Sequence, residues 1–185
     1  EPVTPQLAQA LLEDHVLRLV ASRAYTTLDA LAVFFNSTLS AKVTWAGRHS
    51  AEEVRFRIGA AVRRCLGAGM MRAVDIGGGT VTPGFNAALD GLSFEAEPVG
   101  RVVAAKGISL ACARALLHWL RLSERRDWHP LDLLTALALT PDAKLRQVSL
   151  TQREYEAADY PGRLKKQTAS LELHADTPLN RLRNC

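Results

Sequence analysis

Arg114, His118, Arg121 and Arg125 follow one another at spacings of four, three and four residues. At 100° per residue on an α-helix they fall within about 60° of one another. Arg126 extends the strip, and acids come close only at its far end, at Glu124 and Asp127. Guanidinium groups with no acid beside them make forked hydrogen bonds to phosphate oxygens. Such contacts hold a nucleic-acid backbone without reading its bases. Trp119, or Trp128 further on, would add a ring on which an unpaired base stacks. The plain alternative is that these arginines pair with acids of other helices or lay their stems along the edge of the core.

A second string with chemical potential is Asp75-Ile-Gly-Gly-Gly-Thr80. It resembles the phosphate-binding turn of the actin and sugar-kinase ATPase superfamily, in which an acid ends a strand and glycines let amides approach phosphates. The resemblance covers six residues and implies a nucleotide phosphate. That superfamily builds its site from two such turns in two related subdomains, and this chain has one. Pro83-Gly84 also interrupts the alternation that a return strand needs. Read from the residues alone, the string is a connection that requires positive φ.

Other chemistries find no pattern. The five histidines (His15, His49, His118, His129 and His174) and three cysteines show neither Cys-x-x-Cys nor His-Glu-x-x-His spacing. There is no Gly-x-Ser-x-Gly, and Cys112 sits in an apolar stripe where a thiol is inert. Glu95 and Glu97 share the solvent face of one strand. The expectation is a protein with no metal, no cofactor and no catalytic residues.

The elements that must place the basic strip are legible from apolar periodicity and caps. Val102–Leu122 is the longest apolar run, expected as one central helix with Leu110, Ala113, Leu117 and Leu120 in one stripe. Ile108, Cys112, Ala115, Trp119 and Leu122 form another. Before it, Thr4-Pro5 is expected to open a first helix carrying Val16, Leu19 and Val20, with His15 near its apolar face. Thr26 is expected to cap a second, with Leu28, Leu31, Ala32, Phe35 and Leu39 turned inward. Lys42–Ala46 reads as a strand or extended link. Ser50 and Glu53 form a capping box ahead of Val54, Ile58, Ala61 and Cys65. Residues 67–100 lose helical periodicity, and Leu92–Glu97 alternates as a half-buried strand that Met70–Ile76 can pair with. Pro130 opens a short apolar helix, Thr140-Pro141 another, and Thr151 with Glu154 a third.

Hydrophobic residues make up 48% of the 185, and 23% are charged, which suffices for a globular core. The net charge of +4 comes from 18 Arg and 5 Lys against 19 acids. The three cysteines outline no disulfide framework, no signal peptide is expected, and the sequence holds no membrane-length apolar run. The expected fold is mainly α: a helical bundle at residues 1–160 with a glycine-rich β-containing insertion at 67–100, followed by a polar tail at 161–185. The expected function is that of a non-enzymatic, cytoplasmic accessory subunit binding the RNA or DNA backbone, independent of sequence. Its alternative is a protein–protein adaptor within a multisubunit assembly. A membrane partner is not expected.

Overall fold

The computed structural model describes residues 11–45, 48–75, 77–84, 88–122, 130–138, 140–143, 151–158 and 162. The fold is mainly α with one small antiparallel sheet. Helices α1 (Leu12–Ala21), α2 (Leu28–Ser37) and α3 (Ala51–Gly67) precede strands β1 (Met71–Val74), β2 (Thr80–Val81) and β3 (Ser93–Ala96). Helices α4 (Pro98–Lys106), α5 (Leu110–Leu122), α6 (Pro130–Ala138) and α7 (Gln152–Ala158) follow. The chain divides into two compact units, Glu1–Leu110 and Ala111–Cys185. The tail expected from residue 161 and the helix start at Thr4-Pro5 lie outside the described residues, save Gly162.

The first unit is built on α1 and α3. Helix α3 packs against α1 and α2, and α1 also contacts α4 and β3. Its core is aliphatic and aromatic: Val16, Leu17, Leu31, Phe35, Ile58, Val62 and Phe94 are all at most 1% exposed. Each such burial contributes roughly 1.5–3 kcal/mol. The sheet order is β2-β1-β3, with Met71 opposite Ala96 and Ala73 opposite Phe94. Alternation along β1 and β3 turns Met71, Ala73, Phe94 and Ala96 inward. The sheet thus carries part of the core rather than hanging from it. Strand β2 answers the objection raised by Pro83-Gly84: the return is only two residues long and is complete before the proline, with Val81 opposite Ala73.

Local hydrogen bonding revises several sequence expectations. The cap of α2 is Thr27, whose Oγ1 accepts from the Ala30 amide at 3.2 Å; the carbonyl of Thr26 accepts instead from Phe94, holding β3. Residues Ala41–Trp45 form a turn of π-helix, not a strand, because Thr38 closes α2 and its carbonyl accepts from the Lys42 amide. Leu39 beyond that break is exposed. At α3 only half of the capping box forms. Ser50 Oγ accepts from the Glu53 amide at 3.1 Å, while the Glu53 carboxylate pairs with His49 at 2.8 Å and Arg57 at 2.9 Å.

The run expected as one central helix is two. Gly107 ends α4 at φ +68°, where its amide donates to the Ala104 carbonyl and the Ile108 amide to that of Val103. This is a Schellman closure, which glycine adopts without strain. Helix α5 then starts afresh, and Asp14 on α1 caps it from a distance: its Oδ1 accepts from the Leu110 amide at 2.7 Å. Replacing Asp14 by Ala should cost about 1–2 kcal/mol in chemical denaturation, as for the loss of a helix cap, while Asn should recover most of it. Equal losses for both would show that the carboxylate's acceptor role is not what matters.

Helix α6 begins at Pro130 as its sequence implies. Thr140 closes α6 by donating Oγ1–H to the Leu137 carbonyl at 2.7 Å, and Thr140–Asp142 is a turn; the helix expected to follow falls on 144–150, outside the described residues. Helix α7 starts directly after Thr151.

Candidate nucleic-acid interface

Helix α5 presents the strip on its open side. Arg114, His118 and Arg121 are all exposed, and none makes an ion pair or hydrogen bond with a described residue. Arg125 and Arg126 lie outside the described residues, as do Trp128 and the two flanking acids. The buried side of α5 carries Leu110, Cys112, Ala113 and Trp119, with Leu117 and Leu120 half-buried. Trp119 is 6% exposed and lies about 100–160° round the helix from His118, Arg114 and Arg121. Its indole is therefore a core group and offers no open face to a base, which corrects the stacking role expected of it. Ala115, expected inside, is exposed together with Ala111.

Four arginines of the first unit are paired with acids. Arg55 bridges Asp29 and Asp90, Arg57 pairs with Glu53, and Arg64 reaches Glu13 at 3.0 Å. Arg72 binds Glu95 across the β1–β3 ladder through Nε at 3.0 Å, and Glu97 lies at 3.9 Å. That guanidinium holds the Glu95 carboxyl below its usual range, so the two glutamates serve the ladder. Arg18, Arg23 and Arg48 are exposed and, like Arg114 and Arg121, make no ion pair with a described residue. What sets α5 apart is that its two arginines and His118 share one helix face.

Two other places were candidates for chemistry. The glycine string is a closed turn: Asp75 Oδ1 accepts from the Gly79 amide at 2.7 Å, and the Asp75 amide donates to the Gly79 carbonyl. Gly78 takes φ +80° at the tip, as a glycine-requiring connection should. An amide already bonded to Asp75 is not offered to a phosphate. Beside this turn lies a cleft of about 350 Å³, with Asp29, Asp75 and Asp90 on its walls. Arg55 engages two of these acids and Gly79 the third. Among the described residues no three His, Cys, Asp or Glu side chains stand close enough to share a metal ion.

Among the described residues, the remaining thiol and histidine candidates stand apart from one another. Burial pushes the Cys65 thiol up to about 12, and its Sγ donates to the Glu13 carbonyl at 3.4 Å, so it is a packed thiol. Burial, then the Arg18 charge, lowers the pKa of His15, the boundary histidine of α1. The fold is mainly helical, and α5 exposes Arg114, His118 and Arg121 on one face. No family model and no curated protein matches the chain. No helix among the described residues is long and apolar enough to cross a membrane.

Proposed function

We propose that the protein is a non-enzymatic accessory subunit that binds the phosphate backbone of RNA or DNA through α5. The observation that carries this reading is the exposed set Arg114, His118 and Arg121 on one helix face, with no ion pair among the described residues. Arg125 and Arg126 continue the set in sequence. Phosphate chains attract such a surface by releasing condensed counterions, whatever the base sequence. The free thiols of Cys65 and Cys112 suit a reducing, cytoplasmic setting.

Salt dependence tests it. Arg114→Gln and Arg121→Gln should each weaken binding to a random-sequence oligonucleotide and flatten the slope of log affinity against log salt by roughly 0.7–0.9. Stability should stay within about 0.5 kcal/mol, because both side chains are exposed. Absence of binding by the wild type at low salt would falsify the reading.

A second reading, a protein–protein adaptor, has its own observation. Leu133, Leu134 and Leu137 on α6 are 40%, 60% and 52% exposed and fall within about 100° of one another round the helix. Substituting all three by Ser should leave nucleic-acid affinity unchanged if α5 alone is the binding face.

A further inference from the structure

Among the described residues, Arg23 is the one non-glycine with a positive φ, +60°. It follows Ser22, the C-cap of α1, and its amide donates to the Val20 carbonyl at 2.9 Å. That left-handed place after a helix favours glycine, because other L residues adopt it only at a cost. Here it holds an exposed guanidinium with no ion pair to a described residue. The helix dipole does not account for it, since Arg18 already puts a cation in the last turn of α1. A cation kept where glycine would be more stable points to a ligand for the side chain.

Packing of α1 on α4 brings two more exposed arginines to the same pair of helices. At one end, Asp14 caps Leu110 beyond α4, and the Arg18 Nη2 would stand 3.7 Å from a Cβ on Gly107, which ends α4. At the other end, Arg23 follows α1 and Arg101 lies near the start of α4, and the charges of both act on Glu95. The two helices therefore run antiparallel. The nearby acids are engaged: Glu95 by Arg72 and Asp14 Oδ1 by the Leu110 amide. Arg101 itself donates to the Ala96 carbonyl at 3.0 Å and makes no ion pair with a described residue. Lys106 stands about 140° round α4 from Arg101 and is not counted with it. Five residues separate Arg18 from Arg23, about 7.5 Å along the axis. One nucleic-acid strand offers a phosphate about every 3.4 Å of axis, so this spacing covers two phosphate steps.

Resting on the backbone-binding reading above for its ligand, we infer that Arg18, Arg23 and Arg101 form a second contact surface, on the first unit, for the phosphate chain of a nucleic acid. Arg23 and Arg101 hold one phosphate beside the Arg72–Glu95 pair, and Arg18 holds another further along the strand. Forked guanidinium contacts of this kind read no bases.

The test uses the full chain and labelled random-sequence 20-mers of RNA and of duplex DNA, titrated over a range of salt concentrations. Arg23→Gly should keep or raise the melting temperature. It should still weaken binding about threefold and flatten the slope of log affinity against log salt by roughly 0.7–0.9. Arg18→Gln should change binding in the same way and leave the melting temperature unaltered. Unchanged affinity and slope in either variant, while Arg114→Gln and Arg121→Gln weaken binding, overturns this surface and leaves the α5 reading intact. Losses in the first pair of variants alone keep the surface and remove α5 from the function. A wild type that binds neither probe removes both. Should Arg23→Gly lower the melting temperature, Arg18→Gln decides alone, and its unchanged affinity overturns the surface.

Discussion

Replacing Gly100 by alanine is expected to destabilise the first unit by roughly 3–5 kcal/mol, toward the upper end of what one substitution does. Gly100 lies in the first turn of α4, and a Cβ there would stand 2.0 Å from the Met70 carbonyl oxygen and 2.9 Å from its carbon. A flexible side chain could swing aside, but a backbone carbonyl in this position cannot. The Met70 oxygen already accepts the Glu97 amide at 2.9 Å, and the Met70 amide donates to Cys65 at 3.0 Å. The carbonyl thus joins the end of α3, the entry to β1 and the start of α4. Alanine ordinarily gains about 0.5–1 kcal/mol over glycine within a helix, and that gain is far smaller than the clash. Gly67→Ala is the control, because a Cβ on Gly67 at the end of α3 meets nothing within 4 Å. Urea denaturation should show a large loss for the first variant and little change for the second. A loss under about 1 kcal/mol at Gly100 would mean that α4 does not approach Met70 so closely.

Phe94→Ala should cost about 3–5 kcal/mol, the range for removing a buried aromatic ring. The Phe94 side chain is completely buried, stands opposite Ala73 in the ladder, and belongs to the strand that meets α1 and α4. Its amide also donates to the Thr26 carbonyl, so β3 is held on both sides. Deleting the ring leaves a cavity that neither neighbour fills, since Ala73 is small and the strand backbone is fixed. Phe94→Leu should recover about half of the loss. If Phe94→Ala unfolds no more readily than Phe56→Ala, whose ring is 71% exposed, the sheet is not part of the core.

Periodicity carried most of the fold. Alternation at Leu92–Glu97 predicts β3 and its inward residues correctly, and the spacing of Val54, Ile58, Ala61 and Cys65 predicts the buried face of α3. These readings succeed because burial against a single partner imposes a period of two on a strand and of 3.6 on a helix. Ser50 also caps α3 where expected, since capping is settled within three residues. The break at Gly107 was within reach of the same logic, as Lys106-Gly107 ahead of Ser109 is a stop signal inside an apolar run. Its apolar continuity concealed it.

The α5 site was half legible. The angular cluster of Arg114, His118 and Arg121 follows from helix geometry alone, and all three are exposed. That Trp119 is buried and Ala115 exposed depends on which side of α5 the rest of the protein covers, and two apolar stripes on one helix leave that choice open. Thr26 or Thr27 as the cap of α2 is likewise equal in sequence, and the pairing of Thr26 with Phe94 decided it. The same holds for Asp14, an ordinary first-turn acid of α1 that caps α5 from 96 residues away. Sequence by itself determined α2, α3 and β3 with most of their inward faces, and the charge of the strip, because these depend on neighbours within a turn or two. Tertiary structure alone decided the caps made across the fold, the closed Asp75 turn and the open arc of α5, because each depends on groups that only folding brings together.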